Sequence, residues 1–142
     1  MRSMGPAMPP HHVLIVDDYP DAAEIAATLL GLLGHECRAA YCGRDAMKEA
    51  RSFQPDIAIL DIGLPDISGY ELAIELRKLY AGRPLYLAAI TGWGQPEDRI
   101  KAFAAGFDHH VLKPADAGKL REIIRLAERA SRPVSEAVSS RT

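Results

Sequence analysis

Four short apolar runs in this chain each stop on a residue that carries a charge or a hydroxyl. "VLIV" at 13–16 runs into Asp17 and Asp18, "IAIL" at 57–60 into Asp61, "LYLAAI" at 85–90 into Thr91, and "VL" at 111–112 into Lys113. A carboxylate at the mouth of an apolar core is costly unless something there uses its charge. Three aspartates converging within a few ångströms repel by roughly 4 kcal/mol per pair at an effective dielectric near 20, so they partly protonate unless a cation joins them. All-oxygen ligation by carboxylates, a loop carbonyl and water suits Mg²⁺ or Mn²⁺. Gly63, two residues past Asp61, can supply the carbonyl. Lys113 adds a second positive group, and Thr91 a hydroxyl that can reach an anion. Together these residues describe a place for a phosphoryl group. A carboxylate can attack phosphorus and hold an acyl phosphate while metal and lysine screen the charge on the oxygens. Asp61 is the candidate nucleophile.

The elements that must position these residues follow from the same runs. Short, nearly continuous apolar runs suit strands covered on both faces of a parallel sheet. Between them lie helical periods. Ile25, Leu29 and Leu32 repeat at i, i+4, i+7 between Pro20 and Gly34, which suit a first helical turn and a C′ position. Ser68 and Glu71 form a capping box ahead of Leu72, Leu76 and Leu79. Pro96 opens another helix, and Leu120, Ile123, Ile124 and Ala127 form the stripe of the last. "CRAAYC" and "RDAMKEARSF" read as a weaker strand and helix, ended by Pro55. Five strand–helix units predict an α/β three-layer sandwich with right-handed crossovers. In such sheets ligands bind beyond the carboxyl ends of the strands, where the residues above stand.

Length and charge narrow the field. At 142 residues the chain fits one domain with a real core. We divide it into a flexible arm at 1–11, a folded unit at 12–130 and a flexible tail at 131–142. The 17 Lys and Arg nearly balance 19 Asp and Glu, which gives no argument for nucleic acid or an anionic membrane as a direct partner. No apolar run approaches the ~18 residues of a membrane span, and the start lacks a secretory h-region. Cys37 and Cys42 lie about 16 Å apart in an extended strand, too far for a disulfide, so a reducing, cytoplasmic setting fits. His11 with His12, and His109 with His110, cannot each bind one ion as strand neighbours, because their side chains point to opposite faces. Arg121, Arg125 and Arg129 read as a solvated stripe.

Taken together the residues resemble the receiver domains of two-component response regulators, over roughly residues 12–130. The resemblance rests on the Asp pair after the first strand, "ILDIGLPDISGYE" at 59–71, "AAITGWG" at 88–94 and "GFDHHVLKP" at 106–114. It implies a flavodoxin-like fold with a five-stranded parallel sheet in the order 2-1-3-4-5. It also implies Asp61 as phosphoacceptor, Asp17, Asp18 and Asp61 as Mg²⁺ ligands, Thr91 as switch, Lys113 as anchor, and a cis Lys113-Pro114 bond. The position three before the lysine, commonly Tyr or Phe in the family as rotamer switch, is His110. Trp93 falls where the family tunes dephosphorylation. "ITGWGQPEDR" and "GFDHHVLKP" look most like receivers attached to hybrid sensor kinases.

A single Asp at a strand end is more often a turn residue than a nucleophile, but the matching strand ends outweigh that reading. The implied function is signalling: a phosphoryl group arrives from a phosphohistidine on a sensor histidine kinase or histidine phosphotransfer protein. A downstream protein then reads the face at 96–130. Beyond accepting and slowly losing the phosphoryl group, such a domain is not an enzyme. Two other readings compete. A phosphatase of the haloacid dehalogenase type also uses an Asp nucleophile with Mg²⁺, but needs a second Asp where this chain has Gly63. A receiver-like module that binds a partner without phosphorylation is the other.

Overall fold

The structure is a computed structural model that describes residues 10–92 and 94–131. Five strands and five helices alternate along the chain: β1 (His12–Val16), α1 (Pro20–Leu32), β2 (Glu36–Ala40), α2 (Gly43–Phe53), β3 (Ile57–Asp61), α3 (Gly69–Leu79), β4 (Tyr86–Thr91), α4 (Pro96–Ala105), β5 (His109–Leu112) and α5 (Ala117–Ala130). All strand pairs are parallel, in the order β2-β1-β3-β4-β5. This is the flavodoxin-like arrangement expected from the sequence.

The apolar runs are continuous because both sheet faces are covered. Leu14, Val16, Ala58, Leu60, Leu87 and Ala89 join the side chains of α2, α3 and α4 in one core layer. Val13, Ile15, Ile57, Ile59, Ala88 and Ile90 join those of α1 and α5 in the other. Alternate residues of each strand therefore feed opposite layers, as the pleat requires, and each buried Leu, Ile or Val contributes about 1.5–3 kcal/mol. This packing holds the strand ends in fixed register.

The local signals mostly hold. Ser68 and Glu71 form the capping box at the start of α3, Gly34 takes φ +98 after α1, and Leu120, Ile123, Ile124 and Ala127 are all buried. The Lys113-Pro114 bond is cis. α1 requires a correction. It forms where expected, but its buried face is Ala23, Ala26 and Leu30, while Ile25 is 60% and Leu32 79% exposed. Small residues let the helix lie close on the sheet, and size-weighted periodicity overlooks them. Cys42 also moves: β2 stops at Ala40, and Cys42 becomes the N-cap residue of α2.

His11, which the sequence reading gave to the arm, belongs to the folded body: it is 8% exposed. At the end of the sheet away from the strand carboxyl ends, its Nδ1 meets Asp56 Oδ2 and its Nε2 meets Glu128 Oε2 at 3.1 Å. Its amide donates to His35 Nδ1 at 3.1 Å. Burial alone would lower the His11 pKa, but the bonds and charges of Asp56 and Glu128 raise it above 6.5. His35 is lowered, by burial first and then by His11. A raised histidine stabilises below its unfolded value and loses that contribution as pH rises through its folded value. A lowered histidine has the opposite slope, costing stability as pH falls below 6.5. We expect the urea midpoint to fall on both sides of a maximum near that value. His11→Gln should remove the decline on the alkaline side; an unchanged alkaline limb would refute this account.

Candidate functional site at the strand carboxyl ends

Each predicted ligand or catalytic residue stands at or just past the end of a strand, whereas the predicted switch residue His110 lies within β5. Asp17 follows β1 and is 8% exposed; Asp61 ends β3 at 4%, and Thr91 ends β4 at 3%. Asp18 beside Asp17 is exposed, and Lys113 follows β5. Parallel strands in register bring these ends to one edge of the sheet. One carboxylate oxygen from each of Asp17, Asp18 and Asp61 lies within 4.8 Å of the others.

The contacts divide the Asp61 carboxylate into two ends. Its Oδ2 accepts from Lys113 Nζ at 2.9 Å, and its Oδ1 from the Gly63 amide at 3.1 Å. Asp17 Oδ1 accepts from the Tyr19 amide at 3.0 Å, which turns the chain into α1. The Lys113 amide donates to the Thr91 carbonyl at 2.8 Å, tying the last two strand ends together. Burial raises the Asp17 carboxyl pKa; the Tyr19 amide opposes this and the Asp61 charge reinforces it. Burial alone would lower Lys113, but its bond to Asp61 and the charges of Asp61, Asp17 and Asp18 raise it. A set of hard oxygen donors, two buried and one exposed, with excess negative charge beside a half-exposed lysine, fits Mg²⁺ or Mn²⁺ in charge and ligand chemistry.

His110 lies in β5, three residues before Lys113, and pairs in register with Ala89. Its ring is half-buried, and its Nε2 is enclosed without a hydrogen-bond partner. Burial, then Arg99, lowers its pKa. It lines a cavity of about 270 Å³ with His109, Leu112, Lys119 and Glu122. Trp93 lies outside the described residues.

Sequence reasoning missed two residues that shape the site. A Cβ on Gly69 would stand 2.6 Å from the Asp61 carbonyl oxygen and 2.7 Å from Ile62 Cα. Only glycine lets α3 begin so close to the end of β3. Both obstacles are backbone, so we expect Gly69→Ala to cost about 1–3 kcal/mol, read as a lower urea midpoint; no change would show that the loop yields freely. Asp66 is the second, bonded to the first amides of α2. The signal for it was faint: Cys42, the N-cap residue of α2, is not a capping type, so an acceptor had to come from elsewhere.

The sequence matches the family model of the response regulator receiver domain over residues 13–125. The chain belongs to the response regulator receiver family. Among curated relatives, this receiver is 39% identical over 105 residues to the probable transcriptional regulatory protein TcrX of Mycobacterium tuberculosis, a match covering 74% of this chain and 44% of TcrX. It is 35% identical to the response regulator protein PilR of Pseudomonas aeruginosa, covering 87% of this chain and 27% of PilR. The receiver thus spans less than half the length of these two relatives. Among solved structures, a CheY-like receiver domain protein from Methanospirillum hungatei superposes with TM-score 0.77 at 26% identity, over 86% of this chain and 99% of that one. A putative response regulator from Chloroflexus aurantiacus gives TM-score 0.76 at 31% identity, over 83% and 97%. Receivers are modules of two-component signalling. No helix among the described residues is long and apolar enough to cross a membrane.

Proposed function

We propose that this receiver accepts a phosphoryl group on Asp61 from a phosphohistidine, in the presence of Mg²⁺, and signals through altered protein contacts. The observation that carries the reading is the Asp61 carboxylate itself: buried at a strand end, bound to Lys113, and grouped with Asp17 and Asp18. In the transfer, an Asp61 carboxylate oxygen forms a bond to phosphorus as the bond from phosphorus to the donor imidazole nitrogen breaks. That nitrogen leaves with the electron pair. Asp17, Asp18, Asp61 and the Gly63 carbonyl would hold the cation, which, when bound, draws charge from the phosphoryl oxygens. Lys113 supplies a second positive group at the same oxygens. Thr91 then contacts the phosphoryl group and, with His110, carries the change to the surface. The functional unit is residues 12–130, extended at its start by His11.

Two surfaces fit the partners. A cavity of about 480 Å³ beside the site is lined by Tyr19, Ala22, Ile25, Lys113 and Pro114, and Tyr19 and Ile25 are largely exposed. It gives a donor protein, a histidine kinase or histidine phosphotransfer protein, an apolar footing next to Asp61. Ile100, Phe103 and Leu112 are 69%, 51% and 45% exposed on the face at 96–130, where a downstream protein would dock.

Intact mass after incubation with acetyl phosphate and Mg²⁺ tests the reading. One phosphoryl group per chain, absent in Asp61→Asn and without Mg²⁺, is the expected result. Continuous turnover of the donor would favour a phosphatase, and no labelling would leave a binding module.

A further inference from the structure

The loop that leaves Asp61 carries Gly63, and its position is set by a neighbouring helix. Asp66, five residues past Asp61, reaches across to α2. Its Oδ1 accepts from the Gly43 amide at 2.8 Å and its Oδ2 from the Arg44 amide at 2.9 Å. Oδ1 also accepts from the Ile67 amide at 2.9 Å, which fixes the carboxylate within its own loop. The first amides of a helix have no partner within it, and Cys42, at the N-cap position of α2, makes no side-chain cap bond. Asp66 supplies that cap from another element, with its charge at the positive end of the helix dipole. The Gly43 and Arg44 amides hold its carboxyl below the ordinary aspartate value.

A second observation is independent of these bonds. A Cβ on Gly43 would stand 2.5 Å from Ile67 Cγ1 and 2.8 Å from Ile67 Cδ1. The loop therefore sits directly on the first turn of α2, and glycine at position 43 is what permits it. The far end of the loop is fastened separately, by the Ser68–Glu71 capping box and by the Gly69 amide on the Ile62 carbonyl at 2.8 Å. What Asp66 adds is a hold on the stretch between, the part that contains Gly63.

We propose that Asp66 is a positioning residue for phosphoryl acceptance: by seating loop 62–67 on the first turn of α2, it holds Gly63 in place for the cation and for the Asp61 carboxylate. It acts through Gly63, whose amide holds Asp61 Oδ1. The inference rests on the reading of Asp61 as acceptor. Groups that orient metal ligands without touching the metal typically matter by about 10–100-fold in affinity or activity, and Asp66 belongs to that range.

Three variants test it: Asp66→Ala, Asp66→Asn and Ala50→Gly. The last weakens α2 from its buried face without touching the loop. Mg²⁺ affinity is measured by calorimetry with no phosphodonor present, amide shifts of Gly43, Arg44 and Gly63 by NMR, and labelling from acetyl phosphate as a function of Mg²⁺. Asp66→Ala should weaken Mg²⁺ binding about 10-fold or more, shift the Gly63 amide, and recover labelling at high Mg²⁺. Asp66→Asn keeps one acceptor for Gly43 and should fall between, while Ala50→Gly should bind Mg²⁺ as the wild type does. Wild-type Mg²⁺ affinity in Asp66→Ala, or an equal loss in Ala50→Gly, would overturn the positioning role. A wild type that takes no phosphoryl group overturns the reading of Asp61 and this one with it. A labelled wild type matched by Asp66→Ala at every Mg²⁺ concentration overturns this one alone.

Discussion

Asp18→Ala should take up almost no phosphoryl group from a small phosphodonor in Mg²⁺ buffer, yet melt no lower than the wild type in metal-free buffer. Mg²⁺ keeps its waters tightly and gains little from one or two protein ligands, so losing one of three carboxylates removes most of its affinity. We expect a fall in labelling rate of at least about 100-fold, the upper end of what metal-site changes beyond the ligands themselves produce. Stability does not fall, because Asp18 is exposed and has one oxygen each of Asp17 and Asp61 within 4.8 Å, a repulsion that offsets its attraction to Lys113. At a water-exposed site such a pair repels by about 1 kcal/mol, and the substitution relieves it. Full labelling in Asp18→Ala would remove the residue from the metal site. A markedly lower melting temperature would mean that Asp18 has a structural role instead.

Lys113→Met should have the second large effect, on stability. Lys113 Nζ is the one cationic group hydrogen-bonded to Asp61 among the described residues, at 2.9 Å, and Asp61 is almost fully buried. Removing one partner of a fully buried ion pair costs about 3–5 kcal/mol. The Lys113 side chain is 40% exposed, so water reaches this pair, and we expect a loss nearer 2 kcal/mol. Methionine keeps the length of the stem, so the missing charge is what the measurement reads. Mg²⁺ should restore much of the loss: a ligand at a hundred times its dissociation constant stabilises by about 2.7 kcal/mol. Urea unfolding with and without Mg²⁺ decides the matter. A variant as stable as the wild type without metal would show that the carboxylates tolerate one another unaided.

The strand-end residues were legible because each is chain-local. Asp17, Asp18, Asp61, Thr91 and Lys113 stand directly after apolar runs, and a parallel sheet brings the ends of its strands to one edge whatever the details of packing. The capping box at Ser68 and Glu71, and Gly34 after α1, are local in the same sense, since a helix end is satisfied by residues within a few positions. These features depend on backbone geometry that neighbouring residues set among themselves.

Other features depend on which elements come to lie side by side. Ala23 and Ala26 rather than Ile25 face the sheet, because the close approach of α1 selects for size, and period alone cannot see distance. His11 reads as part of a polar start until Asp56 and Glu128, 45 and 117 positions away, close on its ring. Gly43, Asp66 and Gly69 carry no chemistry of their own in sequence. Gly43 must lack a side chain because Ile67 lies against it, Gly69 because the Asp61 backbone does. Asp66 gains a role because the open end of α2 is its neighbour. By itself the sequence determined which residues stand together at the strand ends, since alternation of strand and helix and chain direction place them. The seating of the loop after β3 was decided only by tertiary packing, because close approach between elements distant along the chain leaves no periodic trace in either one.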